Sequence, residues 1–216
     1  MINSDQDIYI IGANGFASEV LCLLRNINNA SKITSWKIKA FVDNSEKKTF
    51  YNLPVITDKQ FLQLDKPCSV VIAIGDPILR TKIINQYTKH TQITYPNLIH
   101  PQALIQDEST VRLGRGNIIC AGSILTTNIQ IGDFNVINLS CTIGHDVVMG
   151  NNNVINPSVN ISGGVHIKGQ CLVGTGAQIL QGLKIEGSSS VGAGAVVVKS
   201  VEENSTVVGI PARKIK

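Results

Sequence analysis

Histidines are the side chains of this sequence best suited to take a proton near pH 7. There are four of them: His90, His100, His145 and His166. Only His145 is directly followed by a carboxylate, Asp146. A carboxylate beside an imidazole can orient the ring and stabilise its cation, although neighbouring residues on a strand point apart. The sequence therefore favours His145 as a general base; the alternatives are an exposed turn histidine and, for Asp146, a solvated turn carboxylate.

An aliphatic residue recurs at every sixth position of the second half of the chain. The fifteen members of this row are Leu113, Ile119, Leu125, Ile131, Ile137, Ile143, Met149, Ile155, Ile161, Ile167, Val173, Ile179, Ile185, Val191 and Val197. Many of the residues two positions earlier are small or medium in size. A period of six fits a triangular solenoid of short strands, in which three hexads make one coil of about 18 residues.

Glycine or asparagine often follows the repeating aliphatic residue. These positions are Gly114, Gly132, Asn138, Gly144, Gly150, Asn156, Gly174 and Gly192. Both residue types tolerate positive φ in tight turns, so we expect them to form the corners of the coil. The register does not slip between residues 113 and 197. A ligand must therefore be held by an outer face, by a neighbouring subunit or by the other half of the chain.

The first half alternates strand-like and helix-like runs. The pattern predicts strands over 8–11, 38–42 and 69–74 and helices after residue 15 and over 78–87. This alternation is typical of a Rossmann-like α/β domain with a parallel sheet, whose ligands bind at the carboxyl ends of the strands. Because Pro96 and Pro101 mark the junction, we expect an α/β domain over residues 1–97 and a solenoid domain over 98–216.

Two glycines, Gly12 and Gly15, lie between the first strand and the first helix. Free backbone N–H groups at a helix N-terminus favour an anionic or strongly polar ligand, and a tight turn without a ligand is the alternative. A dinucleotide fingerprint would require glycine where Asn14 and Ala17 stand, which disfavours NAD. Asp43 follows the second strand and is of a type that accepts hydrogen bonds from a ribose or a base.

Composition narrows the class of protein. The chain has 216 residues, 16% of them charged, and a formal net charge of +4 that is scattered along the sequence. This disfavours disorder and nucleic-acid binding. The longest apolar runs are too short to span a membrane, and residues 1–7 lack the pattern of a secretion signal, so we expect a cytoplasmic protein. The five cysteines form no C-x-x-C pair, and no metal site is predicted.

The hexads and the chain's ending resemble those of the hexapeptide-repeat acyltransferases. The ending reads Val-Gly-Ala-Gly-Ala-Val over 191–196 and Val-Val-Gly-Ile-Pro-Ala-Arg over 207–213. The resemblance covers residues 98–216 and implies a left-handed parallel β-helix that works as a homotrimer, with acyl-CoA bound between subunits. A structural solenoid without chemistry is the alternative.

With the α/β domain included, the chain is similar to sugar O- and N-acetyltransferases of the sialic-acid acetyltransferase and bacillosamine-pathway type. This resemblance implies that the first domain holds a UDP- or dTDP-linked sugar through six residues: Asn14, Gly15, Phe16, Asp43, Asn44 and Gly75. Relatives commonly have histidine where this chain has Phe16. A phenyl ring cannot form the hydrogen bond that an imidazole can make with the acceptor sugar, so this difference leaves the identity of that sugar open.

The family motif N-x6-H-[DE] appears here as Asn138 to Asp146, which implies catalytic roles for Asn138, His145 and Asp146. One coil after His145 comes Gly163, which we expect about 4.8 Å away on the next strand. The resemblance supports an oxyanion-binding role for its N–H group.

The resemblance also implies which residues bind the acetyl donor. Val154, Thr175 and Ala193 are expected to line the acetyl-CoA groove, with Val154 standing where some relatives carry histidine. Arg213 is expected to face the CoA phosphates, with a solvated tail as the alternative.

Together these features predict direct transfer of an acetyl group from acetyl-CoA to the amino group of a UDP- or dTDP-linked 4-amino-4,6-dideoxy sugar, for surface glycan synthesis. No metal and no covalent acyl-enzyme are expected. Two alternatives remain open: a sugar O-acetyltransferase of the sialic-acid type, and a non-catalytic scaffold that binds a nucleotide sugar.

Overall fold

The structure is a computed structural model that describes residues 6–31, 36–64 and 66–216. It divides into two compact units, the first containing residues up to Gly75 together with Leu79–Pro101, and the second Asp76–Ile78 with Gln102–Lys216. The domain division expected from the sequence, between residues 97 and 98, stays a prediction. Residues 1–5 of that first domain, on which most of the expectation about a secretion signal rests, lie outside the described residues.

The first part of the chain forms a six-stranded sheet with helices between its strands. The strands are β1 (Gln6–Ile11), β2 (Trp36–Val42), β3 (Thr49–Phe50), β4 (Leu53–Ile56), β5 (Cys68–Ile72) and β6 (Ile93–Thr94), and the helices are α1 (Gly15–Ala30), α2 (Asp58–Leu62) and α3 (Pro77–Tyr87). The strand order is β3-β4-β2-β1-β5-β6. All neighbours run parallel except β3 and β4.

The sequence predictions for this part hold for its long elements. Strands β1, β2 and β5 and helices α1 and α3 lie where apolar runs and helical spacing placed them. Residues 8–11 and 70–72 are buried, as expected of central strands of a parallel sheet. The sequence did not predict β3, β4, β6 and α2, because they have two to five residues and are too short to show a hydrophobic period.

Strand β1 lies in the middle of the sheet, and the strands that follow it in the sequence are added first on one side of it and then on the other. Strand β2 pairs with one edge of β1, and β5 pairs with the other. Because all three strands are parallel, the carboxyl ends at Ile11, Val42 and Ile72 meet at one edge of the sheet. A crevice at such a topological switch point is the usual ligand site of an open α/β sheet.

From residue 98 the chain is a parallel β-solenoid of short strands. They are β7 (Leu98–Ile99), β8 (Leu104–Ile105), β9 (Arg112–Leu113), β10 (Ile118–Ile119), β11 (Ile124–Leu125), β12 (Gln130–Ile131), β13 (Val136–Ile137), β14 (Thr142–Ile143), β15 (Val148–Met149), β16 (Val154–Ile155), β17 (Asn160–Ile161), β18 (His166–Ile167), β19 (Leu172–Val173), β20 (Gln178–Ile179), β21 (Lys184–Ile185), β22 (Ser190–Val191), β23 (Val196–Val197), β24 (Thr206–Val208) and β25 (Arg213–Lys214). Up to β23 every third strand stacks in one sheet, so the strands of the second unit make three sheets: β10-β13-β16-β19-β22-β24-β25, β8-β11-β14-β17-β20-β23 and β9-β12-β15-β18-β21. The first of these sheets ends in β24 and in β25, which runs antiparallel to β24.

The row of aliphatic residues forms the interior of this solenoid. All fifteen are buried except Leu113, which is half-buried. Strands pair with those 18 residues further along, as Ile119 does with Ile137 and Ile137 with Ile155. The predicted coil of three hexads is therefore confirmed. Burial of this apolar row is the main force that closes each coil.

The predicted positions of positive φ are wrong by two residues. Positive φ occurs at the third residue after each aliphatic from Leu113 to Val191, for example at Asp146 and Gly164, and not at the first. The glycines at the first position serve another purpose. A Cβ at Gly144 would lie 2.7 Å from the nitrogen of Gly163 in the next coil. Glycine is present there because successive coils approach closely.

Candidate active site

His145 and Asp146 lie together at the corner that follows strand β14. Asp146 has φ +60°, a left-handed conformation. In an extended strand the two side chains would point to opposite faces, whereas at this corner they meet. The distance from His145 Nδ1 to Asp146 Oδ2 is 2.7 Å, and both side chains are more than half exposed.

The Asp146 carboxylate is held from two sides. One oxygen contacts the His145 ring, and the other accepts a hydrogen bond from the side-chain amide of Asn128. These two hydrogen bonds, that from His145 being the stronger influence, hold the pKa of Asp146 below its ordinary value. An ionised carboxylate only accepts hydrogen bonds, so this network assigns the proton of a neutral imidazole to Nδ1. The lone pair of Nε2 is then available as a base.

The imidazole covers Gly163 on the neighbouring coil. The Gly164 N–H donates to the carbonyl of His145 at 2.8 Å, which fixes the two coils side by side. A Cβ at Gly163 would overlap the imidazole at Nε2 and Cε1, so glycine is the residue that leaves room for the ring. Within the described ranges, the Gly163 N–H donates no backbone or side-chain hydrogen bond. It is therefore a donor that an incoming oxygen can use.

Asn138 lies one corner earlier than His145. It follows strand β13, which belongs to a different sheet from β14. Its side-chain oxygen accepts from the Leu139 N–H at 2.8 Å, and its carbonyl accepts from Ser123 Oγ at 2.6 Å. These contacts shape its own corner. Within one chain, the structure does not bring Asn138 to His145.

The residues predicted to line the acetyl-CoA groove are divided between corners. Thr175 and Ala193 are exposed and follow β19 and β22, whereas Gly163 follows β17 of another sheet. Val154 belongs to the same sheet as β19 and β22 and is only 2% exposed. One chain thus presents two separate parts of the predicted groove.

Arg213 lies in strand β25, near the end of the solenoid. It is exposed, and its guanidinium donates to the carbonyl of Ala212 at 3.1 Å. With Lys199 and Lys214 it lines a cavity of about 290 Å³. Lys214 is paired with Glu202 at 2.6 Å. The cavity therefore has cationic walls on an ordered strand, in contrast to the frayed tail considered from the sequence.

The glycine turn after strand β1 is shaped by close contacts. Gly12 has φ +103°, and a Cβ there would lie 3.1 Å from the carbonyl oxygen of Ala73, so only glycine fits without strain. Asn14 caps α1, its side-chain oxygen accepting from the Ala17 N–H at 3.3 Å. Gly15 has open space where a side chain would be. The turn is thus packed against Ala73 at Gly12 and has open space at Gly15.

Asp43 fastens this turn to the end of strand β2. Its carboxylate accepts from the backbone N–H of Ala13 at 2.9 Å and from that of Ser45 at 2.8 Å. Burial raises the pKa of Asp43, but the hydrogen bonds from Ser45 and Ala13 and the charge of Lys47 outweigh it, and the net shift is downward. Lys47 also donates to the carbonyl of Ala13 at 2.6 Å. Two charged residues therefore hold the same turn.

The other predicted sugar-binding residues surround this edge of the sheet. Asn44 exchanges hydrogen bonds with Asp58, donating to its carboxylate at 2.8 Å and accepting from its N–H at 3.1 Å. Gly75 follows strand β5 and has open space at its Cβ position. Phe16 is half-buried in the first turn of α1. Asn44 thus has a structural partner, while Gly75 leaves space for a ligand.

The sequence did not predict two residues of these sites, Asn128 and Lys47. Asn128 is 18 residues before Asp146, and that coil spacing was the signal that would have found it. Lys47 is part of a stretch of lysines and glutamate after β2 that reads as an ordinary solvated loop. Its contact with Ala13 depends on how the loop folds back, which no local pattern indicates.

Neither a metal cluster nor a membrane-spanning helix is found in the part of the chain that the structure describes. No group of three or more histidine, cysteine or acidic side chains is placed to hold a metal ion. No helix there is long and apolar enough to cross a bilayer.

Comparisons with known proteins place these features in a family. Residues 7–87 match the PglD N-terminal domain, and no curated protein sequence is significantly similar to the chain. Over 97% of this chain and the whole of the other, it is 32% identical to WeeI from Acinetobacter baumannii, with a TM-score of 0.86. It is 27% identical to a mutant of perosamine N-acetyltransferase from Caulobacter crescentus, solved with CoA and GDP-perosamine, with both chains fully covered and a TM-score of 0.88.

A third similar structure is the acetyltransferase domain of PglB from Neisseria gonorrhoeae. It is 25% identical, with a TM-score of 0.88 over 98% of this chain and all of that one. The similarity confirms the predicted fold, an α/β domain followed by a left-handed parallel β-helix. The chain therefore belongs to the hexapeptide-repeat sugar acetyltransferases.

Proposed function

We propose that this protein transfers the acetyl group of acetyl-CoA to the amino group of a nucleotide-linked 4-amino-4,6-dideoxy sugar, with His145 as the general base. The observation that carries the proposal is the His145 corner. There an exposed imidazole has its Nδ1 held by Asp146 and its Nε2 over a glycine of the next coil. The N-acetyltransferase named among the similar structures, solved with a GDP-linked amino sugar and CoA, supports the same reaction class.

In the proposed reaction the sugar amine attacks the thioester carbonyl, forming a C–N bond. His145 Nε2 takes a proton from the nitrogen as this bond forms, which raises the electron density available for attack. The C–S bond then breaks and the imidazolium returns the proton to the leaving sulfur. The products are the N-acetyl sugar and CoA, and no residue of the chain becomes acylated.

Asp146 and Gly163 assist the base in this scheme. The carboxylate keeps the imidazole in the Nδ1–H tautomer and stabilises the cation after proton transfer. The Gly163 N–H, which lacks an acceptor among the described residues, donates to the oxygen that becomes negative in the tetrahedral intermediate. Such a donor typically contributes about 3 to 4 kcal/mol to lowering the barrier.

The acceptor binds at the carboxyl edge of the α/β sheet in this proposal. Gly15 and Gly75 leave open space there, and the start of α1 favours an anionic diphosphate. Asp43 keeps accepting positions for a ribose hydroxyl, since a carboxylate has about four and two are used by backbone N–H groups. UDP and dTDP remain the nucleotides expected from the resemblance, and the relative solved with GDP-perosamine adds GDP.

A homotrimer accounts for the divided groove. Gly163 lies at one corner of the solenoid, and Thr175 and Ala193 lie at another. If two chains pack side by side, the His145 corner of one faces the Thr175 corner of its neighbour, and a groove forms between them. Arg213 and the lysines near it then supply cations for the CoA phosphates.

The test is a thiol-release assay with the purified protein, acetyl-CoA and a panel of acceptors. The panel contains UDP-, dTDP- and GDP-linked 4-amino sugars, and sialic acid as the hydroxyl acceptor. Free CoA released with an amino sugar supports the proposal. Release with sialic acid alone favours O-acetylation, and no release with any acceptor favours the scaffold.

The His145→Ala variant tests the base. We expect its kcat to fall at least about a hundredfold, since a positioned base contributes about 10²- to 10⁴-fold. His166→Ala is the matched control. His166 is also exposed on the solenoid, but the residue after it is Ile167 and not a carboxylate. A His145→Ala variant with wild-type turnover would exclude this residue as the base.

A further inference from the structure

One corner of the solenoid repeats the same left-handed conformation on four successive coils. The residues are Asn128, Asp146, Gly164 and Gly182, each 18 positions after the last, with φ between +55° and +72°. Two of the four carry polar side chains, and these two touch each other: Asn128 Nδ2 donates to Asp146 Oδ1. This contact joins the coil before His145 to the catalytic corner.

We propose that Asn128 is a positioning residue that holds the Asp146 carboxylate in line with Nδ1 of His145. The inference rests on the proposed function, and it adds a third member to the His145 and Asp146 pair. The contacts form one continuous series, in which Asn128 donates to one oxygen of Asp146 and the other oxygen faces the imidazole at 2.7 Å. Asn128 does not touch His145 and acts on it only through the carboxylate.

Exposure explains why the carboxylate needs a second contact. The Asp146 side chain is 54% exposed, so the neighbouring interior does not restrict its rotation. A carboxylate that is free to rotate spends only part of its time facing the imidazole, and ordering it costs conformational entropy. The amide of Asn128 fixes the oxygen that His145 does not use. It is also neutral, so the full negative charge remains available to the imidazolium.

The backbone of Asn128 is held in place from the coil below. The Asn128 N–H donates to Thr110 Oγ1 at 2.9 Å, and this hydroxyl donates to Asp107 Oδ2 at 3.0 Å. The series Asp107, Thr110, Asn128 and Asp146 thus climbs three coils along one corner. The contact with Thr110 fixes the backbone at the corner from which the Asn128 side chain reaches Asp146.

A purely structural role for Asn128 is disfavoured by its surroundings. Its side chain is exposed and fills no part of the interior. The backbone conformation does not require asparagine either, since Gly164 and Gly182 adopt it two and three coils further along. Glycine at position 128 is expected to preserve the corner, because it adopts positive φ without strain.

The experiment compares Asn128→Gly with wild type by steady-state kinetics and by ¹⁵N NMR of the histidine rings. We expect kcat to fall about tenfold with KM for both substrates changed less than about twofold, because orientation of the base is lost and binding is not. In the NMR spectra the neutral His145 ring loses its preference for the Nδ1–H tautomer. Asn128→Asp places a second carboxylate against Asp146, and its kcat falls further.

Asn204→Gly is the matched control. Asn204 is also exposed with φ +56°, at another corner of the same solenoid, and we expect neither kcat nor the His145 tautomer to change in this variant. Wild-type kcat and wild-type tautomer in Asn128→Gly would overturn the inference.

The test separates this inference from the proposed function. If His145→Ala keeps full activity, the proposed role of the base fails, and the tautomer in Asn128→Gly still reports whether Asn128 orients the pair. If His145→Ala is inactive while Asn128→Gly matches wild type in both measurements, only the role of Asn128 fails.

Discussion

Two aspartates at two turns of this protein are held in different ways. Asp146, on the solenoid, has a side chain that is more than half exposed and contacts two side chains, His145 and Asn128. Asp43, in the α/β unit, accepts hydrogen bonds from the backbone N–H groups of Ala13 and Ser45. Both have a lowered pKa. The carboxylate of Asp146 thus contacts a side chain that can react, whereas the carboxylate of Asp43 stabilises the backbone conformation of a turn.

This difference predicts where activity and stability separate. Residues around Asp146 are placed on a corner whose fold depends on the buried aliphatic row beneath it, so changing them affects chemistry more than folding. Residues around Asp43 form the turn itself, so changing them affects folding and binding together.

Gly163→Ala is expected to lower kcat at least about a hundredfold, because the base loses its position. The new methyl group would occupy the place of the His145 ring and displace Nε2 from the acceptor amine. Because the ring is the end of an exposed side chain, it can move aside, and the thermal midpoint should stay within about 2 °C of wild type. Kinetics and a thermal melt measure the two effects.

Gly187→Ala serves as the control for this substitution. A Cβ at Gly187 would make only ordinary contacts, the nearest at 3.6 Å, so kcat should not change. A Gly163→Ala protein as active as this control would show that the imidazole does not have to lie over residue 163.

Asp146→Asn is expected to lower kcat by about ten- to a hundredfold. The new amide group can donate an N–H to Nδ1 of His145. The imidazole then favours the Nε2–H tautomer, and Nε2 loses the lone pair that takes the proton. The substitution keeps the size and shape of the side chain at an exposed corner. Activity measured from pH 6 to 9, with the thermal midpoint as the folding control, tests this. If stability falls and kcat does not, the contrast with Asp43 is wrong.

The periodic part of the fold was predictable because each coil repeats the same physical requirement. The aliphatic row appears in the sequence as an unbroken series, and all but Leu113 are buried. Positive φ at the third position was not predictable in the same way. Serine, phenylalanine, glutamine and aspartate all occur there, so the stacking of the coils, and not the residue type, imposes this conformation.

The candidate site was predictable only in part for a related reason. His145 and Gly163 are one coil apart, so the period alone placed them side by side. The meeting of His145 with Asp146 depends on the left-handed residue, which strand alternation argues against. In the α/β unit nothing repeats, so the return of Lys47 to Ala13 had no counterpart elsewhere in the chain from which to infer it.

Asp43→Asn gives the smallest expected effect, about 1 kcal/mol of unfolding free energy at pH 7, the usual contribution of a hydrogen bond to a partly exposed group. The pKa of Asp43 is lower in the folded protein than its ordinary value of 3.8. The ionised carboxylate therefore stabilises the fold above about pH 4, and this stability is lost as the pH falls through the folded pKa. The deficit of Asp43→Asn should shrink on acidification.

Urea unfolding followed by the fluorescence of Trp36 is suited to this measurement. Trp36 is the single tryptophan of the chain and lies in β2, the strand that Asp43 follows. Asp146→Asn is the matched control, because its carboxylate is exposed on the solenoid and should leave the Trp36 transition unchanged. A deficit in Asp43→Asn that stays constant as the pH is lowered through the titration of Asp43 would mean that the shape of the side chain matters there and its charge does not.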